Sequence, residues 1–189
     1  MDKVYWIDLY NNKQINIDCS NFCLFMIKYL NENNIKVQKI LDCGCGNGRD
    51  SFELSKIYNV DAIDNNGYMP KNKINCFFYN EDFVEKNKDK YDLIYSRFTF
   101  HSITDKEQCK FLKSIKHNQY LAIETRSDKG TVENLHFGNT HYRNLTNLNK
   151  LTLILISLKF KIIYLQEKDN VAQYNNENPI CIRILCKKE

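Results

Sequence analysis

Proline is nearly missing from this chain. Pro70 and Pro179 are the only two in 189 residues, and there are only six glycines. No Pro/Gly-rich linker, low-complexity segment or internal repeat is visible, so a single domain over 1–189 is expected, with residues 1–35 as an N-terminal helical cap region. At 22.5 kDa it is long enough to bury a substantial core. Long hydrophobic runs are missing too. The longest, Leu151 to Leu158, is interrupted by Thr152 and Ser157 and falls far short of the roughly 20 residues a membrane span needs, so no membrane partner is expected. The first residues, Met1-Asp2-Lys3-Val4-Tyr5-Trp6-Ile7-Asp8, place acids where a secretory leader carries positive charge, which makes a cytoplasmic location the expectation. Cysteine is plentiful, but Cys19, Cys23, Cys43, Cys45, Cys76, Cys109, Cys181 and Cys186 form no paired C-x-x-C sites. Reduced thiols and no metal are expected. A dominant sign of charge is also lacking: 27 basic against 23 acidic residues leave +4, with no run of five basic residues, so no nucleic-acid partner is indicated.

Against this background Lys39-Ile40-Leu41-Asp42-Cys43-Gly44-Cys45-Gly46-Asn47-Gly48-Arg49-Asp50 stands out. Alternate glycines follow an apolar strand and open a helical pattern. Glycine takes φ > 0 or lets a ligand pack against the main chain, so close approach of a ligand to this backbone is expected. A dinucleotide fingerprint needs G-x-G-x-x-G, and Arg49 occupies the third glycine's place; a G-x-x-x-x-G-K-[ST] P-loop occurs nowhere. A nucleotide-sugar or NAD enzyme is thereby weakened.

The apolar periodicity predicts a helix over 21–31 with Phe22, Phe25, Met26, Tyr29 and Leu30 on one stripe and Ser20 as its N-cap. Strands are predicted near 37–42, 59–64, 75–79, 91–95 and 118–124, with helices near 49–57 and 105–116, an alternation that makes a parallel sheet. Only about ten residues join Asp64 to Asn75, and they include Gly67 and Pro70, so the crossover helix there is expected to shrink to a turn or two. A helix near 146–157 and a hairpin of strands near 160–167 and 179–187 complete the pattern.

The glycine string resembles motif I of the class I S-adenosylmethionine (SAM) methyltransferases. That resemblance implies a Rossmann-like α/β fold, a seven-stranded mostly parallel sheet in the order 3-2-1-4-5-7-6 with the last strand antiparallel and helices on both faces. It also implies SAM as cofactor, with Asp42, Gly44, Gly46 and Gly48 forming its loop. Asp64, ending the second strand about twenty residues on, takes the ribose hydroxyls with Asn65 beside it; Asp61, mid-strand, is the weaker candidate. Asp82 corresponds to the acid that receives the adenine amino group, Phe83 to an apolar ring contact, and Ser96 to a residue lining the cofactor after strand four; a turn cap is the bland alternative for Asp82. With so few prolines, neither the [NDS]-P-P-[YF] tetrapeptide of DNA amino methyltransferases nor the Pro-Cys of cytosine C5 enzymes is present. A small-molecule acceptor gains ground.

Open α/β sheets bind ligands at the carboxyl ends of their strands, and the loops there are basic: Arg97 and His101, then Arg126 and Lys129, then His136, His141 and Arg143. Arginine clamps anions and cannot act as a base, so a small anionic acceptor follows. His101 or His141 is the candidate base if the acceptor is a hydroxyl; Arg97 joins them as a catalytic candidate. Tyr5-Trp6, residues 45–51, Tyr-Ser-Arg-Phe-Thr-Phe-His at 95–101, Glu-Thr-Arg-Ser at 124–127 and His-Tyr-Arg at 141–143 are similar to small bacterial methyltransferases of surface-polysaccharide loci, some acting on the phosphoramidate of Campylobacter-type capsules. By that resemblance the methyl goes to an oxygen of a phosphoramidate or phosphorylated intermediate, with Tyr5, Arg97, Arg126, His141, Tyr142 and Arg143 holding the acceptor. The alternative is a non-catalytic SAM-binding sensor or activating partner. A monomer or homodimer is expected.

Overall fold

The computed structural model describes residues 6–7, 17–130, 136–137, 141–173 and 178–189, with backbone alone at 136–137 and 141. Its elements are α1 Asn21–Glu32, β1 Lys39–Cys43, α2 Arg49–Leu54, β2 Asn59–Asp64, β3 Cys76–Asn80, β4 Leu93–Arg97, a 3-10 turn Phe100–Ser102, α3 Asp105–Lys113, β5 Tyr120–Arg126, the short pair β6 His136–Phe137 and β7 His141–Tyr142, α4 Leu148–Ser157, β8 Phe160–Lys168 and β9 Cys181–Lys188.

Side chains alternate between the faces of a strand, and here both faces are apolar, as a parallel sheet covered on both sides requires. Leu41, Cys43, Ile63, Ile94, Leu121, Ile123, Ile182 and Ile184 pack with Phe111 and Leu112 of α3 and Leu151 and Leu155 of α4. The intervening residues Ile40, Val60, Ala62, Leu93, Tyr95, Ala122 and Leu185 pack with Phe22, Met26 and Leu30 of α1 and Leu54 of α2. The seven main strands run β3-β2-β1-β4-β5-β9-β8, which is the expected 3-2-1-4-5-7-6. β3 through β5 are parallel, and β9 lies antiparallel to both β5 and β8.

Caps set the helix starts. The Ser20 side chain accepts from Cys23 N–H, Thr104 and Glu107 form a reciprocal capping box, and Asn147 accepts from Lys150 N–H. Two expectations need correction. Residues 65–75 contain no helix: Asn66 Oδ1 takes Tyr68 N–H at 2.7 Å in a local turn, Gly67 has φ 85°, and a one-turn helix has too few hydrogen bonds to compete. β1, β4, β5 and β9 each begin two residues later than predicted, at Lys39, Leu93, Tyr120 and Cys181, and ahead of β5 Asn118 sits in the left-handed region at φ 69°.

Candidate active site

Parallel strands bring their carboxyl ends to one edge, and the sequence candidates gather there. After β1 the chain turns over β2, with the N–H groups of Gly44 and Cys45 both donating to Ile63 O at 2.8 and 3.1 Å. Gly44, Gly46 and Gly48 have φ of 76°, 55° and 75°. A Cβ on Gly44 would stand 1.8 Å from Thr99 Cγ2, and one on Gly48 2.6 Å from the Phe78 ring. At these two positions the left-handed backbone and the protein's own side chains by themselves require glycine.

Three carboxylates surround this loop. Asp42, 3% exposed, accepts the Ser51 hydroxyl of α2 at 2.6 Å. Asp64, 8% exposed, accepts Gly46 N–H at 2.8 Å and Asn66 N–H at 3.0 Å. Asp50, 5% exposed, accepts the N–H and the hydroxyl of Ser20, each at 2.6 Å, and the Tyr95 hydroxyl at 2.7 Å. None makes an ion pair among the described residues. Burial pushes the Asp42 carboxyl up to about 7; the Ser51 hydrogen bond opposes this, and Asp50 and Asp64 add to it. Asp64 is likewise raised by burial, against the pull of its backbone N–H partners. Asp61, buried mid-β2, is different. Lys39 and Lys90 pair with it at 3.2 and 2.9 Å and Tyr91 donates at 2.9 Å; burial raises it, and these partners together carry it below the usual carboxylate range. Beside Asp64, Asn65 Oδ1 and Asn66 Nδ2 are buried without a hydrogen-bond partner.

On the other side of β1, Arg97, Glu124 and Arg183 stand in register on β4, β5 and β9. Arg97 Nε and Arg183 Nε donate to the two oxygens of the fully buried Glu124 at 2.8 and 2.7 Å. Arg97, expected as an anion clamp, is thus already matched by a carboxylate. Phe98 follows at φ 55°, a rare conformation for a bulky residue. Its ring lies 4.5 Å from Arg97 Cζ, 5.5 Å from Arg126 Cζ and edge-on to the His101 ring at 5.5 Å. His101 is 2% exposed, with Nδ1 3.4 Å from Arg126 N–H and 3.3 Å from Thr125 Oγ1. A ring nitrogen that accepts a backbone N–H carries no proton, which puts the proton of a neutral His101 ring on Nε2. The 143–146 stretch docks here: Asn144 N–H donates to His101 O at 2.7 Å and Thr146 N–H to Arg126 O at 2.9 Å. Arg143 is buried and Tyr142 half-buried. Tyr5 and the His141 side chain lie outside the described residues.

The remaining candidates have local roles. Ser96 Oγ lies 2.6 Å from Thr99 Oγ1, which donates to Cys43 O at 2.9 Å and ties β4 to the glycine loop. Asp82 is exposed and Oδ1 caps the following turn by accepting Val84 N–H at 2.8 Å. The Phe83 ring lies in the core, edge-on to Phe111 at 5.6 Å, so the ring contact expected of it is not offered by its side chain.

Residues 17–152 match the family model described as a methyltransferase domain. The chain belongs to this family. No curated protein matches it by sequence. Solved structures share its fold: the 1,6-didemethyltoxoflavin-N1-methyltransferase of Burkholderia thailandensis, determined with 1,6-didemethyltoxoflavin and S-adenosylhomocysteine (SAH), has a TM-score of 0.77 at 13% identity over 98% of this chain and 86% of that one. A SAM-dependent methyltransferase of Clostridium acetobutylicum gives 0.65 at 15% over 98% and 97%, and one of Methanosarcina mazei 0.66 at 20% over 84% and 96%. This is a class I SAM-dependent methyltransferase, and its cofactor is SAM. The residues fit a cationic cofactor: buried carboxylates that make no ion pair among the described residues, and orphaned polar atoms on Asn65 and Asn66.

Sequence reasoning missed Asp50, Phe98 as a structural pivot, Thr99, Asn66 and Arg183. Asp50 and Phe98 stood inside quoted motifs, but their partners are distant in sequence or set by backbone conformation. Arg183 carried no signal beyond its charge.

Proposed function

We propose that this methyltransferase transfers the methyl group of SAM to an oxygen of a small anionic acceptor, a phosphoramidate or phosphorylated intermediate of capsular polysaccharide synthesis being the class implied by the sequence resemblance. The observation that carries this reading is the gathering of Arg97, His101 and Arg126 around the single Phe98 ring, next to the glycine loop. In this reading Asp42, the loop of Gly44, Gly46 and Gly48, Asp64 and Asn65 hold the donor, Ser96 steadies the loop through Thr99, and Asp82 meets the adenine with its second oxygen. Arg126 and Arg143 draw the anion in, with Tyr5, His141 and Tyr142 from the flanking segments, and His101 donates Nε2–H to it. Arg97 acts by holding Phe98.

The sulfonium of SAM supplies the electrophilic methyl, so the chain's task is alignment for an in-line displacement. An anionic oxygen needs no base, which agrees with a histidine that donates. The test is methyl transfer followed by mass spectrometry on a panel of a phosphoramidate, a phosphomonoester, a free sugar and a carboxylic acid. Transfer to a phosphorylated member is expected, with His101→Ala losing turnover and keeping SAH affinity. Faster transfer to the uncharged sugar, or near-normal turnover by His101→Ala, would overturn the reading.

A further inference from the structure

Buried carboxylates are ordinarily paired with a cation or protonated, because an isolated charge is costly to desolvate. Asp61 obeys this with Lys39 and Lys90. Asp42, Asp50 and Asp64 do not: among the described residues each is satisfied by hydroxyl or backbone N–H donors alone. They bracket the glycine loop, Asp42 two residues before Gly44, Asp50 two after Gly48, and Asp64 hydrogen-bonded to Gly46. The groups that act on Asp42 or feel its charge are Cys23 of α1, Asp50 and Ser51 of α2, Cys43, Cys45, Asp64, Cys76 of β3, and Tyr95 and Arg97 of β4. Burial raises the thiols and the tyrosine and keeps them neutral. Arg97, the one cation of that set, is bonded to Glu124. Asp64 also accepts the backbone N–H of Asn66, whose buried Nδ2 has no hydrogen-bond partner, nor has Asn65 Oδ1 beside it in the chain, an independent mark of a polar ligand at this end of β2.

The geometry points to Asp42, backed by Asp50 and Asp64, as the group that makes this cradle prefer the charged sulfonium of SAM to the neutral sulfur of SAH. Without ligand, Asp42 is part-protonated near neutrality, burial having pushed it up to about 7. A cation over the loop favours its carboxylate and sends the proton to solvent; a neutral thioether exerts no such pull. Once the methyl has left, the added charge is gone and Asp42 regains its proton from solvent. The chain thereby grips its donor and loosens on its product, more so as pH rises through 7.

Calorimetric titration of SAM, sinefungin (an amine in place of the sulfonium) and SAH, from pH 6 to 8.5 in two buffers of different ionisation heat, tests this without any acceptor. Expected is proton release on binding SAM and sinefungin in excess of that on binding SAH. The SAH-to-SAM ratio of dissociation constants should rise about fivefold between pH 6 and 8.5, toward the limit of about tenfold that displacing Asp42 by one pH unit sets. Asp42→Asn should flatten the ratio. Ser51→Ala, which removes only the hydrogen bond to the charged form, should move the inflection to higher pH and decides the matter alone if Asp42→Asn does not fold. Equal proton release for SAM and SAH, a ratio flat with pH, or an inflection indifferent to both substitutions would overturn the inference.

Discussion

Gly44→Ala separates the two reasons a glycine can stand in a cofactor loop. Its φ of 76° costs an L-residue about 1–2 kcal/mol. Its new Cβ would lie 1.8 Å from Thr99 Cγ2, and Thr99 cannot swing away freely, since its hydroxyl is held 2.6 Å from Ser96 Oγ and 2.9 Å from Cys43 O. Overpacking of this kind adds about 1–3 kcal/mol, for a total of about 2–5 kcal/mol. Thr99→Ser deletes the clashing methyl and keeps the hydroxyl, leaving Cβ and Oγ at 2.9 and 3.3 Å. The double variant should therefore recover part of the overpacking and retain the backbone strain, a coupling of about 1–2 kcal/mol. Urea unfolding of wild type, both single variants and the double variant, followed by circular dichroism, measures it, and SAH titration of the double variant should stay within a few-fold of wild type. Additive single effects would refute the steric reasoning. A double variant that folds well but no longer binds SAH would return the glycine requirement to the ligand.

Glu124→Gln leaves two guanidinium groups facing an amide in the interior and should cost about 3–5 kcal/mol, whereas Lys150→Met at the exposed Lys150–Asp105 pair should change stability by less than about 1 kcal/mol; similar losses in chemical unfolding would mean that the buried triad is not what holds β4, β5 and β9 together. Phe98→Gly relieves a left-handed backbone at φ 55° worth about 1–2 kcal/mol, so it should melt no lower than Phe98→Leu, which keeps the strain and loses the ring; a lower melting temperature for the glycine variant would show Phe98 to be ordinary packing. Asp42 carries a native value raised from 3.8 to about 7, so the native state binds more protons than the unfolded chain between those values, and its contribution to stability falls as pH rises across that window and is level above it. Asp42→Asn should remove a slope on the order of a few kcal/mol, read as the difference in melting temperature between pH 4.5 and 8 in wild type and variant without ligand; parallel profiles would contradict the raised value.

The order of the sheet was readable because apolar strands and amphipathic helices alternate with clear breaks, and because Ser20 and Thr104 cap their helices by local chemistry. What failed was also local: the 65–75 connection lacks the periodicity that would separate a short helix from a turn, and Asn118, at φ 69°, gives no outward sign of its left-handed backbone ahead of β5. At the site, the glycine string and Asp64 could be found by spacing, since one βαβ unit contains them. Phe83 could not be told from a ligand contact, because a phenylalanine after a strand has the same sequence signature whether its ring meets a nucleobase or Phe111. Arg97 was misjudged for a different reason: its carboxylate partner is 27 residues away, and pairing across strands is invisible until the register is known. Asp50 shows the same limit, joining Ser20 and Tyr95 over separations of 30 and 45 residues.

Register also places the buried charges of the site. Asp42 and Asp64 fall in step with the side chains of β1 and β2 that face α1 and α2, and Arg97, Glu124 and Arg183 in step with those of β4, β5 and β9 on the same face. Carboxylates without cations occupy the β2 side of β1, and the arginine pair around Glu124 occupies the β4 side. The boundary between them is the β1–β4 junction, where strand order reverses, the place at which an open α/β sheet forms its ligand crevice. A cationic donor is favoured on one flank of that crevice, and an anionic acceptor, as proposed, on the other. Opposite charges on donor and acceptor then bring the sulfonium and the attacking oxygen together before any base is needed, and this alignment weakens once the methyl has moved and both charges are diminished. Rates should accordingly fall with ionic strength for a charged acceptor and stay level for an uncharged one, a comparison that tests the acceptor's charge independently of its identity.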